Sequence, residues 1–165
     1  EFPRHSYADD ARLWAVEAYE KLGRRDEVAR LLGELPDDYP AGDMRHEALW
    51  RLARLHWLAG RLEAADRTLV RLEGLGLPRL YYALGQAPYW RARIAARRGN
   101  ATAAAALYER CVREYPLSYY ALLAFNRLRE SAPGRFRRLA TELLGQRGPG
   151  SFRPPVSSPL PPLTK

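Results

Sequence analysis

The sequence is short of lysine, of cysteine and of long apolar runs, and each shortage excludes something. Lys21 and Lys165 are the only lysines among 27 basic residues, in a chain rich in alanine. Arginine in place of lysine almost everywhere is explained by genome composition before it is explained by a binding task. One cysteine, Cys111, excludes an intramolecular disulfide framework and leaves the redox compartment open. No apolar stretch approaches the ~18 residues that span a bilayer. The opening EFPRHSYADD has neither the basic start nor the apolar core of a signal peptide, so export is not read from it. The three histidines, His5, His46 and His56, share no metal-ligand spacing with one another or with Cys111. No metal or cofactor is therefore expected.

What is present describes an ordered chain. Of 165 residues, 47% are hydrophobic and 28% charged, far from the composition of disorder. The net charge of +8 is unevenly spread: residues 1–43 hold six basic and eleven acidic side chains, a net of −5, and residues 44–165 hold 21 and eight, a net of +13. Charge alone would suggest RNA as a partner, but nothing else in the sequence supports it.

Repetition decides the architecture. Pro40, Pro78 and Pro116 are spaced 38 residues apart, each behind a glycine, Gly23, Gly60 or Gly99, with Trp14, Trp50 or Trp90 nine or ten residues before that glycine. Between these landmarks apolar residues recur at helical steps: Leu13, Val16 and Leu22; Val28, Leu31, Leu32 and Leu35; Leu49, Leu52, Ala53, His56 and Trp57; Leu62, Ala65, Leu69 and Leu72. Ser6, Asp43 and Ser118 are positioned to cap helices, the PDDYPAGD stretch to end one, and Pro88 to fill a first turn. RLYYALGQA, residues 79–87, reads as a short turn or loop. A last helix runs from Ser131, Ala132 and Pro133 to about Leu144.

The expected fold is all-α: a solenoid of about four helix hairpins over residues 1–144, followed by a proline-rich tail or linker over 145–165. One hairpin cannot bury both its apolar faces, so such units stack in series. The tail has six prolines and three glycines and cannot continue a helix; its PLPP, Pro159 to Pro162, reads as linker before peptide ligand.

Several side chains invite a functional reading beside a plainer one. His56 and Cys111 sit at packing positions, so a core histidine and a buried inert thiol are expected. The tryptophans suit helix packing better than sugar or base stacking. Adjacent tyrosines, Tyr81 with Tyr82 and Tyr119 with Tyr120, cannot all face a core. Arg91, Arg93, Arg97 and Arg98, with Tyr119, Tyr120 and Arg127, form the candidate binding surface, an anion-attracting face that could meet acidic cell-wall polymer, a neighbouring domain or nucleic acid.

From Gly99, Ala104, Tyr108, Cys111 and Pro116 follow at five, nine, twelve and seventeen residues, and Gly23 is followed by Val28, Leu32, Leu35 and Pro40 at the same offsets. This pattern resembles a tetratricopeptide repeat. APYWRARIAARRG with YERCVREYPLSYYALLAFNRL resembles the helical superhelix of soluble lytic murein transglycosylases, through Tyr89, Trp90, Ala92, Arg93, Gly99, Tyr115, Pro116, Ser118, Tyr119, Tyr120, Leu123, Ala124, Arg127 and Leu128. That resemblance implies a periplasmic or cell-envelope scaffold that positions a catalytic domain and contacts peptidoglycan. The chain itself should not be an enzyme. Glu130-Ser131 is the one Glu-Ser pair, with no Gly-Leu-Met-Gln after it. Its arginine-rich neighbourhood favours an ionised carboxyl, the opposite of what a general acid for glycoside cleavage needs. The alternative is a free-standing tetratricopeptide-like adaptor that grips a peptide or protein.

Overall fold

The computed structural model describes residues 5–76 and 83–145. Over them the chain is all-α, with eight helices: α1 (Ala8–Lys21), α2 (Arg25–Asp38), α3 (Arg45–Leu58), α4 (Leu62–Glu73), α5 (Gln86–Arg97), α6 (Ala101–Glu114), α7 (Tyr119–Ser131) and α8 (Pro133–Gly145). Each odd-numbered helix pairs with the even one after it, and each hairpin packs on the next in chain order. The tyrosine pair Tyr81–Tyr82 and the tail from residue 146 lie outside the described residues.

The hairpin turns share one chemistry. Gly23, Gly60 and Gly99 all take positive φ, between 69° and 78°. In each, the glycine N–H donates to a carbonyl three residues back and the next N–H donates five residues back, as in Asn100 N to Ala95 O at 2.9 Å. That double bond set closes the last turn of the first helix and reverses the chain. Asn100 and Ser118 then cap α6 and α7, accepting from Ala103 N and Ala121 N at 3.0 Å each. To reach its capping geometry Ser118 follows Leu117, whose backbone is also left-handed, with φ 71°.

Two other caps differ from expectation. Ser6 does not cap α1, which starts after Tyr7 with no side-chain cap bond, and Asp43 does not cap α3. Asp9 of α1 does that work from a distance: buried to 4% exposure, it accepts from Met44 N at 3.2 Å and so ties α1 to the start of α3. The end of α2 also shifts. It runs through Pro36 to Asp38, a turn into the stretch expected as loop. RLYYALGQA likewise yields its last two residues, Gln86 and Ala87, to α5, whose first turn holds Pro88.

Three contiguous clusters form the core: Val16, Val28, Leu32 and Leu35 in the first hairpin; Leu49, Ala53, Ala65 and Leu69 in the second; Ala92, Ala104, Tyr108, Cys111, Leu128 and Leu139 across α5 to α8. The helical stripes read from sequence are the buried ones, with two exceptions. Leu22 is 71% exposed, because it sits at the turn itself beyond the last packed residue of α1. Trp14 is 66% exposed, whereas its counterparts Trp50 and Trp90 pack ring against ring. His56 is half-buried, with Nδ1 enclosed and without a partner among the described residues.

Gly85, before α5, separates two effects that glycine usually combines. Its φ is 78°, as at Gly99, but a Cβ there would lie 3.1 Å from Cys111 Sγ and 3.2 Å from Ser118 Oγ, whereas at Gly99 it would meet open space. Gly99→Ala should therefore cost about 1 kcal/mol, the left-handed penalty alone. Gly85→Ala should cost about 1–3 kcal/mol more through overpacking. Urea unfolding of the two variants checks the difference.

Candidate functional site

Residues four and seven apart on one helix share a face. On α3 this puts Trp50, Arg54 and Trp57 in one line, and on α5 it puts Trp90, Arg93 and Arg97 in another. The two lines meet. Trp90 packs 5.6 Å from Trp50 and, edge-on, 5.4 Å from Trp57 between ring centroids. On the other side of α5, Tyr89 lies 5.5 Å from Tyr120 of α7 and 6.0 Å from Tyr108 of α6, and Gln86 Nε2 donates to the Tyr120 hydroxyl at 3.0 Å. The odd-numbered helices α3, α5 and α7 thus touch ring to ring.

The even-numbered helices are joined differently. Arg71 of α4 bonds Asp37 of α2, Arg110 of α6 bonds Glu73 of α4, and Arg113 of α6 bonds Glu142 of α8. The Arg113 guanidinium holds the Glu142 carboxyl below the usual range. Among helices two apart in the chain, α5 and α7 approach most closely along the backbone, so the odd row is the tighter, inner one and the even row the outer.

The seven residues of the candidate surface do not stay together. Arg91 points toward α4, where Nε bonds Asp66 at 2.9 Å and Nη1 bonds Glu73 at 2.9 Å. Burial works to lower its pKa, and the two acids outweigh burial and raise it. Arg98 bonds Glu63 at 3.2 Å. Arg127 bonds Glu130 at 3.1 Å; the Tyr89 hydroxyl, ahead of Glu130, raises its pKa. Tyr120 is half-buried in the ring stack. Tyr119 is exposed, as adjacency required of one of the two, and with Leu122 it forms an apolar patch on α7 beside Leu117, itself 95% exposed.

Arg93 and Arg97 remain on the inner row. The Arg93 guanidinium carbon lies 5.9 Å from the Trp57 ring, 5.6 Å from Trp90 and 6.0 Å from Tyr89, and Nη1 donates to the Tyr89 hydroxyl at 3.2 Å. Arg97 lies 4.9 Å from the Trp57 ring. Arg54 belongs with them, lining a small hollow with Trp50 and Trp57. Arg54 lies outside the surface expected from sequence, although the Trp50-Arg54-Trp57 spacing, with Trp90-Arg93-Arg97 on α5, marks it.

Catalytic chemistry finds no support at the positions considered. Glu130 is exposed on α7 and bonded to Arg127. Cys111 is buried, and burial pushes its thiol up to about 12; Sγ donates to Gly85 O at 3.4 Å. Asp9, Asp10 and Asp43 bring one carboxylate oxygen each within 4.8 Å of one another, but Asp9 Oδ2 already accepts from Met44 N.

A family model described as Tetratricopeptide repeat matches residues 86–118, from the first residue of α5 to the cap of α7. The chain carries a tetratricopeptide repeat. In the tetratricopeptide unit Ala104, Tyr108 and Cys111 are all buried between α5 and its neighbours, where the five-, nine- and twelve-residue offsets from Gly99 place them. No curated protein matches the chain. Such repeats generally serve as protein-interaction scaffolds.

Two outcomes follow. Glu73 is partly enclosed, with 23% of its side chain exposed, and holds both Arg91 and Arg110. Glu73→Gln should cost about 2 kcal/mol in urea unfolding, whereas Glu130→Gln should cost less than about 0.5 kcal/mol. Cys111 should resist a thiol-specific disulfide reagent at pH 8 in the folded chain and react at once in urea. Its raised folded pKa adds stability below the usual thiol range that is lost as pH climbs toward 12.

Proposed function

We infer that the chain is a protein-interaction module that grips an extended segment of a partner along the inner row of α3, α5 and α7. The observation that carries this reading is the ring-floored face at half-buried Trp57 and Arg93 and exposed Arg97, on the tetratricopeptide unit and its neighbour. Stacked rings hold the floor rigid, so a segment laid on it orders itself without first ordering the protein. The exposed Tyr119 and Leu122 offer apolar contact at the α7 edge.

A second reading places the chain beside the catalytic domain of a periplasmic or cell-envelope lytic transglycosylase, where Arg91, Arg93, Arg97, Arg98, Tyr119, Tyr120 and Arg127 would contact peptidoglycan. Its support is the resemblance over residues 89–128. The resembling residues Tyr89, Ala92, Ala124 and Leu128 are buried, so the likeness follows hairpin packing more closely than it follows any surface. The adaptor reading is therefore preferred.

A displayed random-peptide selection against the full chain separates the two. The adaptor reading expects enriched peptides whose contacts map by NMR shift changes to α3, α5 and α7. Peptides that map to the even row overturn it, as does a selection without enrichment. Co-sedimentation of the chain with purified sacculi, lost on mutation of Arg97 and Tyr119, would favour the second reading.

A further inference from the structure

The ion pairs account for every acidic side chain beyond residue 43, and this determines what the inner row lacks. Glu47, Glu63, Asp66 and Glu73 are bonded by Arg51, Arg98, Arg91 and, for Glu73 again, Arg110. Glu109, Glu114, Glu130 and Glu142 are bonded by Arg135, Arg110, Arg127 and Arg113. These are all eight carboxylates of residues 44–165. Arg54, Arg93 and Arg97 have no carboxylate partner among the described residues.

The three are also held in a particular way. Arg93 and Arg97 lie over the rings of Trp57, Trp90 and Tyr89, and Arg54 lines the hollow floored by Trp50 and Trp57. A guanidinium on a ring satisfies one face by attraction to the π cloud and keeps its in-plane N–H donors free. Arg93 commits one of its five donors, to the Tyr89 hydroxyl. What remains are guanidinium forks, half-buried at Arg93 and exposed at Arg54 and Arg97, whose geometry matches carboxylates two at a time. Exposed arginines elsewhere, such as Arg137 and Arg138 on α8, have no such platform among the described residues.

We propose that the occupant of the inner row is an acidic protein segment, whose aspartate or glutamate side chains are taken by Arg54, Arg93 and Arg97 above Trp57. The proposal rests on the adaptor reading and names its partner's chemistry. Charge complementarity selects it: a basic or neutral segment would leave three cations unpaired against the rings, and a sugar polymer without anionic groups would do the same. A nucleic acid is the competing polyanion, because bases stack on rings such as these, and an RNA competitor tells the two apart. The chain's own acidic first unit, in a second copy, is the other competing source.

The test uses the full chain immobilised at physiological salt and three pools of short random peptides, rich in Asp and Glu, in Lys and Arg, or in Ser and Gln. Retention of the acidic pool above the other two is the expected result. Fluorescence anisotropy on its tightest member then compares two double variants of equal charge change, Arg93→Gln with Arg97→Gln and Arg137→Gln with Arg138→Gln. The first should weaken binding by about tenfold or more and the second by less than about twofold. Equal losses would mean bulk charge alone and overturn the proposal. So would tighter binding of a homopolymer RNA, or dimerisation in sedimentation that the peptide reverses. Unchanged helical circular dichroism of both variants ensures that a loss reports binding. If the basic or neutral pool is retained instead, the adaptor reading stands and this inference falls; if no pool is retained, both fall.

Discussion

Two adjacent residues, Tyr89 and Trp90, hold the stack together. Neighbours on a helix point about a third of a turn apart, so adjacent rings cannot serve the same contact. Trp90 turns back to Trp50 and Trp57 on α3, while Tyr89 turns forward to Tyr108 on α6 and Tyr120 on α7. Each ring pair is worth roughly 0.5–1.5 kcal/mol beyond its burial. Three hairpins are therefore linked through one dipeptide on α5, and α5 is the helix on which the tetratricopeptide repeat opens.

Ion pairs supplement the ring contacts: Arg51 of α3 reaches Glu17 and Glu20 of α1, and arginines of the even row reach acids on a neighbouring hairpin. Acidic residues after Asp43 are few, and each sits where an arginine from a neighbouring turn or helix can reach it. Most of these pairs are at least partly exposed, and exposed pairs add little stability. Their larger effect is to use up the negative charge, which leaves the inner row cationic by default.

Much of the fold was legible from the sequence because the landmarks that punctuate it act locally. A glycine nine or ten residues after a tryptophan ends a helix whatever lies beyond, so Gly23, Gly60 and Gly99 marked the turns directly, and Val28, Leu32, Ala65 and Leu69 marked buried stripes by spacing alone. What escaped depended on distance. Asp9 caps α3 from 35 residues away, a bond no local pattern displays. Pro36 reads as a stop, yet the helix holds for two more residues because the proline is itself buried. For the candidate surface, sequence grouped Arg91, Arg93, Arg97 and Arg98 as one run. Helical phase splits that run, sending Arg91 to Glu73 and Asp66 and leaving Arg93 and Arg97 beside an unforeseen Arg54.

That split bears on why the chain has so many arginines. Genome bias accounts for arginine over lysine in general, and it would scatter unpaired arginines without regard to what lies beneath them. The observed placement is not so scattered on the inner row: Arg93 and Arg97 both rest over Trp57, and Arg54 lines a hollow with that residue. A lysine there would put a hydrated point charge where a flat guanidinium stacks and keeps its donors aligned. Composition thus explains the number of arginines, and ion pairing explains the position of about half of the described ones, Arg54, Arg93 and Arg97 not among them. The rings beneath Arg93 and Arg97 set these two apart from unpaired arginines such as Arg137 and Arg138, which have no such platform among the described residues.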